Sequence, residues 1–256
     1  MSQQFFFFID ESGDPNFYAR RKRPLWAEPN FDPVLMIGMV VVENRKALRK
    51  KILNFQNTIL ADPLFNTIAS VSQPNWFLHA SKDHVEVRVK FIEFLRKEKD
   101  VKCYVAIGRK QPDIFHNKHN GNAAEFYFDL LNKLLSQFDF TENGNFTLYL
   151  SQKQSNTVER FEKALERALS KQSKRMSSAS FKCSIVLSKD VPEMSVIDYY
   201  LWVLKRYITT GEKRYFTALA DRFVSINDVY ENGGKGIIYD EYNPFGMSKA
   251  SKFEVK

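Results

Sequence analysis

The sequence predicts an α/β protein in which buried strands are covered by helices. Apolar runs such as Phe5–Ile9 and Val34–Val42 are large on both alternating faces, as strands buried from both sides must be. Segments such as Arg45–Leu60 instead repeat apolar residues at helical spacing. The two kinds of segment alternate along 256 residues with no internal repeat and no long linker. One domain with one large core is therefore expected, with residues beyond about 223 as a C-terminal extension.

The first strand, Phe5–Ile9, runs straight into Asp10-Glu11-Ser12-Gly13-Asp14. A basic loop follows, in which Arg20, Arg21, Lys22 and Arg23 are adjacent and serve either as a solvated tip or as phosphate contacts. Val34–Val42 is the second strand, and Leu48, Ile52, Phe55 and Ile59 mark a helix over Arg45–Leu60. After a loop punctuated by Pro63 and Pro74 comes a short mixed segment, Trp76–Lys82. A second helix starts near Asp83, with Val85, Val89, Ile92 and Leu95 on one face. The third strand, Val101–Ile107, follows these two helices. Gly108–Gly121 reads as a polar loop, and Asn122–Phe138 as a helix burying Tyr127, Leu131 and Leu134. Phe146–Leu150 is the fourth strand. Asn156 and Glu159 are spaced as a capping pair for the helix that follows. A basic, serine-rich connection over Lys171–Ser180 leads to the fifth strand, Phe181–Leu187. Ser195 opens a helix with Ile197, Leu201, Leu204 and Ile208 inward, and a further strand is expected at Phe223–Val229.

Composition sets bounds on function. Lys and Arg number 38 against 30 Asp and Glu, a net charge of +8 that suits a polyanionic partner without requiring one. Cys103 and Cys183 lie in apolar segments with no ligand spacing, as small buried residues of a reducing, cytoplasmic protein would. The opening apolar run stops at Asp10 with no basic residue before it, unlike a signal peptide. No apolar stretch approaches the roughly 20 residues of a membrane span. His116 and His119 lack a convincing third ligand for zinc, and neither a Gly-rich phosphate loop nor a nucleophile elbow occurs.

The chemistry-bearing residues gather at the end of the first strand. Asp10 lies where α/β sheets usually bind ligands, although an aspartate before a glycine also suits a turn. Glu11 should point to the opposite face, and Asp14 is close by. Asp198 stands three residues after Ser195, a spacing that fits either a helix cap or a site. Glu125 is likewise near a helix start, with Asp129 one turn on. His79 is a candidate general base or phosphate contact, or else a partly buried polar residue.

Three segments together resemble the bacterial domain of unknown function 3800 family. They are Phe8-Ile9-Asp10-Glu11-Ser12-Gly13, Phe77-Leu78-His79-Ala80-Ser81-Lys82-Asp83 with the Val87-Arg88 that follows, and Met194-Ser195-Val196-Ile197-Asp198-Tyr199-Tyr200. The resemblance covers roughly residues 5–225 and implies an RNase H-like fold, a five-stranded mixed sheet flanked by helices. It further implies a metal-dependent nuclease of RNA or DNA, with Mg²⁺ or Mn²⁺ held by Asp10, Asp198 and Glu125. Glu11 and His79 would assist. Where the family pattern asks for an acid at the end of the fourth strand, this chain has Ser151, which cannot bring a formal charge to a metal. A catalytically idle module that binds nucleic acid or protein, in a bacterial or phage defence setting, is the alternative. Arg21, Lys22, Lys82, Lys205 and Arg206 are the candidate nucleic-acid contacts.

Overall fold

The computed structural model describes residues 3–140, 144–152, 157–170, 179–248 and 253. Its elements are, in order, β1 (Gln4–Ser12), β2 (Val34–Val42), α1 (Arg45–Ala61), α2 (Val85–Lys97), β3 (Lys102–Arg109), α3 (Pro112–His119), α4 (Ala123–Leu135) and β4 (Asn145–Ser151). These are followed by α5 (Val158–Ser170), β5 (Ser180–Val186), α6 (Met194–Thr210), α7 (Lys213–Leu219), β6 (Phe223–Asp228), α8 (Glu231–Gly234) and β7 (Ile237–Tyr239). One mixed sheet takes the order β5-β4-β1-β2-β3-β6-β7. Only β2 and β7 run against the others. The carboxyl ends of β1, β3, β4, β5 and β6 thus share one edge.

The expected α/β class, the two helices before β3 and the further strand near Phe223 are found, but among the described residues the sheet has seven strands where the family resemblance implies five. The expected C-terminal extension adds β6 alongside β3, and β7 pairs with β6. At three residues, β7 is too short to carry a period-2 signal. The expected polar loop after β3 contains α3, which Pro112 starts at the first turn beside Asp113. Its eight residues carry too few apolar positions to show a helical period. Asn156 and most of the serine-rich connection lie outside the described residues.

Alternation along β1 divides its side chains between two helical layers. Phe8 joins the core against α1, α2, α6 and α7, whereas Phe5, Phe7 and Ile9 join the core against α4 and α5. Phenylalanines pack in both cores, and on the second face six of them form one cluster. There Phe5, Phe7, Phe138, Phe140, Phe146 and Phe181 pack in edge-on and stacked pairs with centroids 4.9–5.8 Å apart. β2 is buried along its whole length, as the middle strand of the sheet should be.

Gly38, in the middle of β2, lets α6 approach the sheet. A Cβ there would stand 2.8 Å from Ile197 Cδ1 and 2.9 Å from Leu201 Cδ2. Gly38→Ala is expected to push α6 outward and cost about 1–3 kcal/mol by overpacking. A denaturant titration showing an unchanged midpoint would refute this.

Candidate functional site

β1 delivers Asp10 to the shared carboxyl edge on the α6 face. Its strand partner on one side is Gly38, and pairing of Ile9 with Leu150 brings Ser151 alongside on the other. Asp10 Oδ1 accepts the Glu11 backbone N–H at 2.9 Å, and the Ser151 hydroxyl also donates to this carboxylate. Ser151 Oγ lies 3.2 Å from Ser188 Oγ. Burial pushes the Asp10 carboxyl up to about 8, and the charges of Glu11 and Asp198 add to the rise.

Asp198 reaches this place from the other end of the chain. The capping alternative for it is overturned. α6 starts at Met194, so Asp198 lies beyond the first turn, and the Ser195 hydroxyl donates to Pro192 O at 2.7 Å. The carboxylate turns outward, where Oδ2 accepts the Ala80 N–H at 2.6 Å and stands 3.3 Å from His79 Nδ1. Oδ1 has no hydrogen-bond partner among the described residues. The bond to Asp198 raises the pKa of His79 against the opposing effect of burial. Asp198→Asn is therefore expected to lower the His79 pKa, read by NMR titration of the imidazole. An unmoved pKa would show that the contact is not made in solution.

Asp83 holds this contact in place, and sequence reasoning gave it only a helix start. Fully buried, it accepts Trp76 Nε1 at 2.9 Å, the His79 N–H at 2.8 Å and Tyr199 OH at 2.7 Å. Its pKa is raised, chiefly by burial. The turn that presents His79 and Ala80 to Asp198 is thereby pinned to the residue next to Asp198. Arg88 adds a bond to Ala80 O at 2.9 Å while its guanidinium lies 4.8 Å from the Trp202 ring. No local spacing announces Asp83, since its tyrosine partner is 116 residues away.

A second anchor ties the start of α6 to the sheet. Glu193, fully buried, accepts Arg45 Nε at 2.7 Å, and Arg45 also donates to Tyr149 OH at 2.5 Å.

The remaining candidates are placed as follows. Glu11 points to the α4 face, as alternation requires, where Tyr127 OH donates to its Oε2 at 3.3 Å. Asp14 closes an exposed turn by accepting Asn16 N at 2.7 Å. Glu125 is exposed at the third residue of α4, whose cap is Asn122. It opens onto a hollow of about 340 Å³ shared with Lys118, His119, Asp129 and Arg167, in the helical layer opposite α6. Asp129 there is tied to Lys118 and Tyr230. Among the described residues, no group of three or more His, Cys, Asp and Glu is set to hold a metal ion. The structure thus brings Asp10, Asp198 and His79 together, and leaves Glu11 and Glu125 on the other face.

Of the candidate nucleic-acid contacts, Arg21 and Lys22 are exposed, at φ of 60° and 56°. Two consecutive non-glycine residues in the left-handed region are uncommon. Lys82 is exposed beside His79. Lys205 is occupied by an ion pair with Asp32, and Arg206 lies 3.9 Å from Glu212 with its guanidinium over Trp202. No helix among the described residues is long and apolar enough to cross a membrane. Comparison with protein-family models and with curated proteins found no match.

Proposed function

We propose that the protein is an RNase H-like nuclease, similar to the domain of unknown function 3800 family, that hydrolyses phosphodiester bonds of RNA or DNA with Mg²⁺ or Mn²⁺. The observation that carries this is the meeting of Asp10 and Asp198, 188 positions apart in the chain, on one face of the sheet edge, near enough for the charge of one to raise the pKa of the other. Five adjacent strands, β3-β2-β1-β4-β5, form a mixed sheet with helices on both faces, which supports the fold reading.

The donor set suits magnesium, which binds through one or two carboxylates and leaves its other positions to water and substrate phosphate. Asp10 and the unpartnered Oδ1 of Asp198 would hold it. When bound, the ion supplies neutralising charge and a more acidic water. Ser151 orients the Asp10 carboxylate, and the Ala80 N–H fixes that of Asp198. His79 Nε2 has no partner among the described residues and is free to exchange a proton with a bound phosphate ester. Lys82, Arg21 and Lys22 are exposed cations available to the nucleic-acid backbone.

Ser151 in place of an acid, and Glu125 on the far face, favour the second reading, a module that binds nucleic acid without cutting it. Incubating the protein with single- and double-stranded RNA and DNA, in Mg²⁺, Mn²⁺ or a chelator, separates the two. Metal-dependent cleavage supports the nuclease, binding without cleavage supports the idle module, and neither activity ends both.

A further inference from the structure

We infer that a cavity beside the carboxylates receives one unpaired nucleobase, so that the substrate is a single strand or an unpaired nucleotide. This rests on the nuclease reading above and names its substrate class. The cavity, about 170 Å³, opens between α1, the turn before His79 and the segment leading into α6. Drug-sized ligands occupy roughly 300–1,000 Å³, so this space suits a single flat ring. Trp76, Phe77, Leu53 and Pro192 supply apolar and aromatic walls. The Trp76 ring is held by its Nε1 bond to Asp83, and so is organised before any ligand enters. Leu53 remains 42% exposed, an apolar wall that an inserted ring would cover.

The polar groups have the chemistry of a base edge. Gln56 and Asn75 both line the cavity, and the side-chain amide of each offers donors and an acceptor. Neither has a hydrogen-bond partner among the described residues. Asn75 sits at a φ of 58°, in the left-handed region that asparagine adopts more readily than most residues other than glycine.

The cavity is joined to the carboxylates on two sides. Ser188 lines it and lies 3.2 Å from Ser151, which donates to Asp10. Leu78 lines it, and the next residue, His79, contacts Asp198. A base seated here would leave its own phosphate beside Asp10 and Asp198. A paired base cannot enter, because its partner would have to follow it, and so must first leave the stack. Lys189, which is exposed and also lines the cavity, is a cation available to the adjoining phosphate.

The test compares a ten-nucleotide single strand, the same strand in duplex, and a fully abasic strand of equal length and charge. Binding is followed by fluorescence anisotropy in a chelator, where no cleavage occurs, using DNA and RNA. The single strand is expected to bind about tenfold or more tightly than either other form, as base stacking on aromatic side chains gives. Leu53→Trp, which fills the cavity from an exposed position, should lose that advantage, and Gln56→Ala should lose part of it, both with unchanged melting temperature. Equal binding of the abasic strand, or an unaltered preference in Leu53→Trp, overturns the inference. Base-dependent binding with no cleavage in Mg²⁺ keeps the cavity assignment and removes the nuclease. Metal-dependent cleavage with no preference for unpaired bases does the reverse.

Discussion

Asp10→Asn and Asp198→Asn are each expected to lower metal-dependent cleavage about a thousandfold while leaving a folded protein. The magnitude follows from losing several kcal/mol of charge stabilisation, at 1.36 kcal/mol per tenfold. Structural and chemical roles are told apart by stability. In the absence of a divalent cation the Asp10 carboxyl has a folded pKa of about 8 against an ordinary 3.8. Between those values the folded state holds a proton that the unfolded state has released. This group therefore stabilises the fold least at high pH, the loss accumulating from about pH 4 and ending near pH 8. Asp10→Asn removes that loss. Its melting temperature should exceed that of the wild type by more at pH 9 than at pH 5, and Mg²⁺ should raise only the wild type appreciably. A variant that melts lower at every pH would assign Asp10 a structural role. Cleavage at wild-type rate in both variants would falsify the catalytic assignment.

The largest stability effect is expected at the end of β6. Asp228 is fully buried and accepts Arg109 Nε at 3.0 Å and Arg109 Nη2 at 2.7 Å, while Arg109 reaches Glu231 at 2.6 Å. The Phe253 ring lies 4.0 Å from the guanidinium. Burial raises the Asp228 pKa to about 6 even with Arg109 lowering it. Removing one member of a buried pair leaves the other charge uncompensated, at a cost of about 3–5 kcal/mol. Asp228→Ala should therefore reduce the melting temperature by roughly 6–15 °C, with Glu231 limiting the loss. Equilibrium unfolding in urea measures it, and a change below about 1 kcal/mol would contradict the prediction. Backbone pairing with β3 makes β6, and through it β7, part of the main sheet, so truncation before Phe223 should yield no native protein.

Much of the architecture is legible in the sequence because burial imposes period. β2 is apolar at every position except Gly38 and is buried throughout, and α6 shows its inward face through Ile197, Leu201, Leu204 and Ile208. Alternation also places Asp10 and Glu11 on opposite faces without any coordinates. What the sequence conceals has no local period. The role of Asp198 could not be separated from capping, because the choice depends on Ala80 and His79 more than a hundred residues earlier. Asp83 and Glu193 are acids near helix starts, an ordinary place for solvated carboxylates. Only tertiary packing shows that both are buried and bonded. Ser151 reads as a missing charge in the sequence and as a hydroxyl donor to Asp10 in the structure.

The strand order bears on how the chain reaches this state. β1 lies between β2 and β4, and its pairing with β4 joins Phe5 to Phe146. During synthesis, the phenylalanine run therefore has one bare hydrogen-bonding edge until residues near 150 have left the ribosome, and β3 waits longer still for β6. Parallel pairings this distant in sequence close slowly and expose apolar edges meanwhile. Refolding from denaturant should be slow and should give soluble protein best at high dilution.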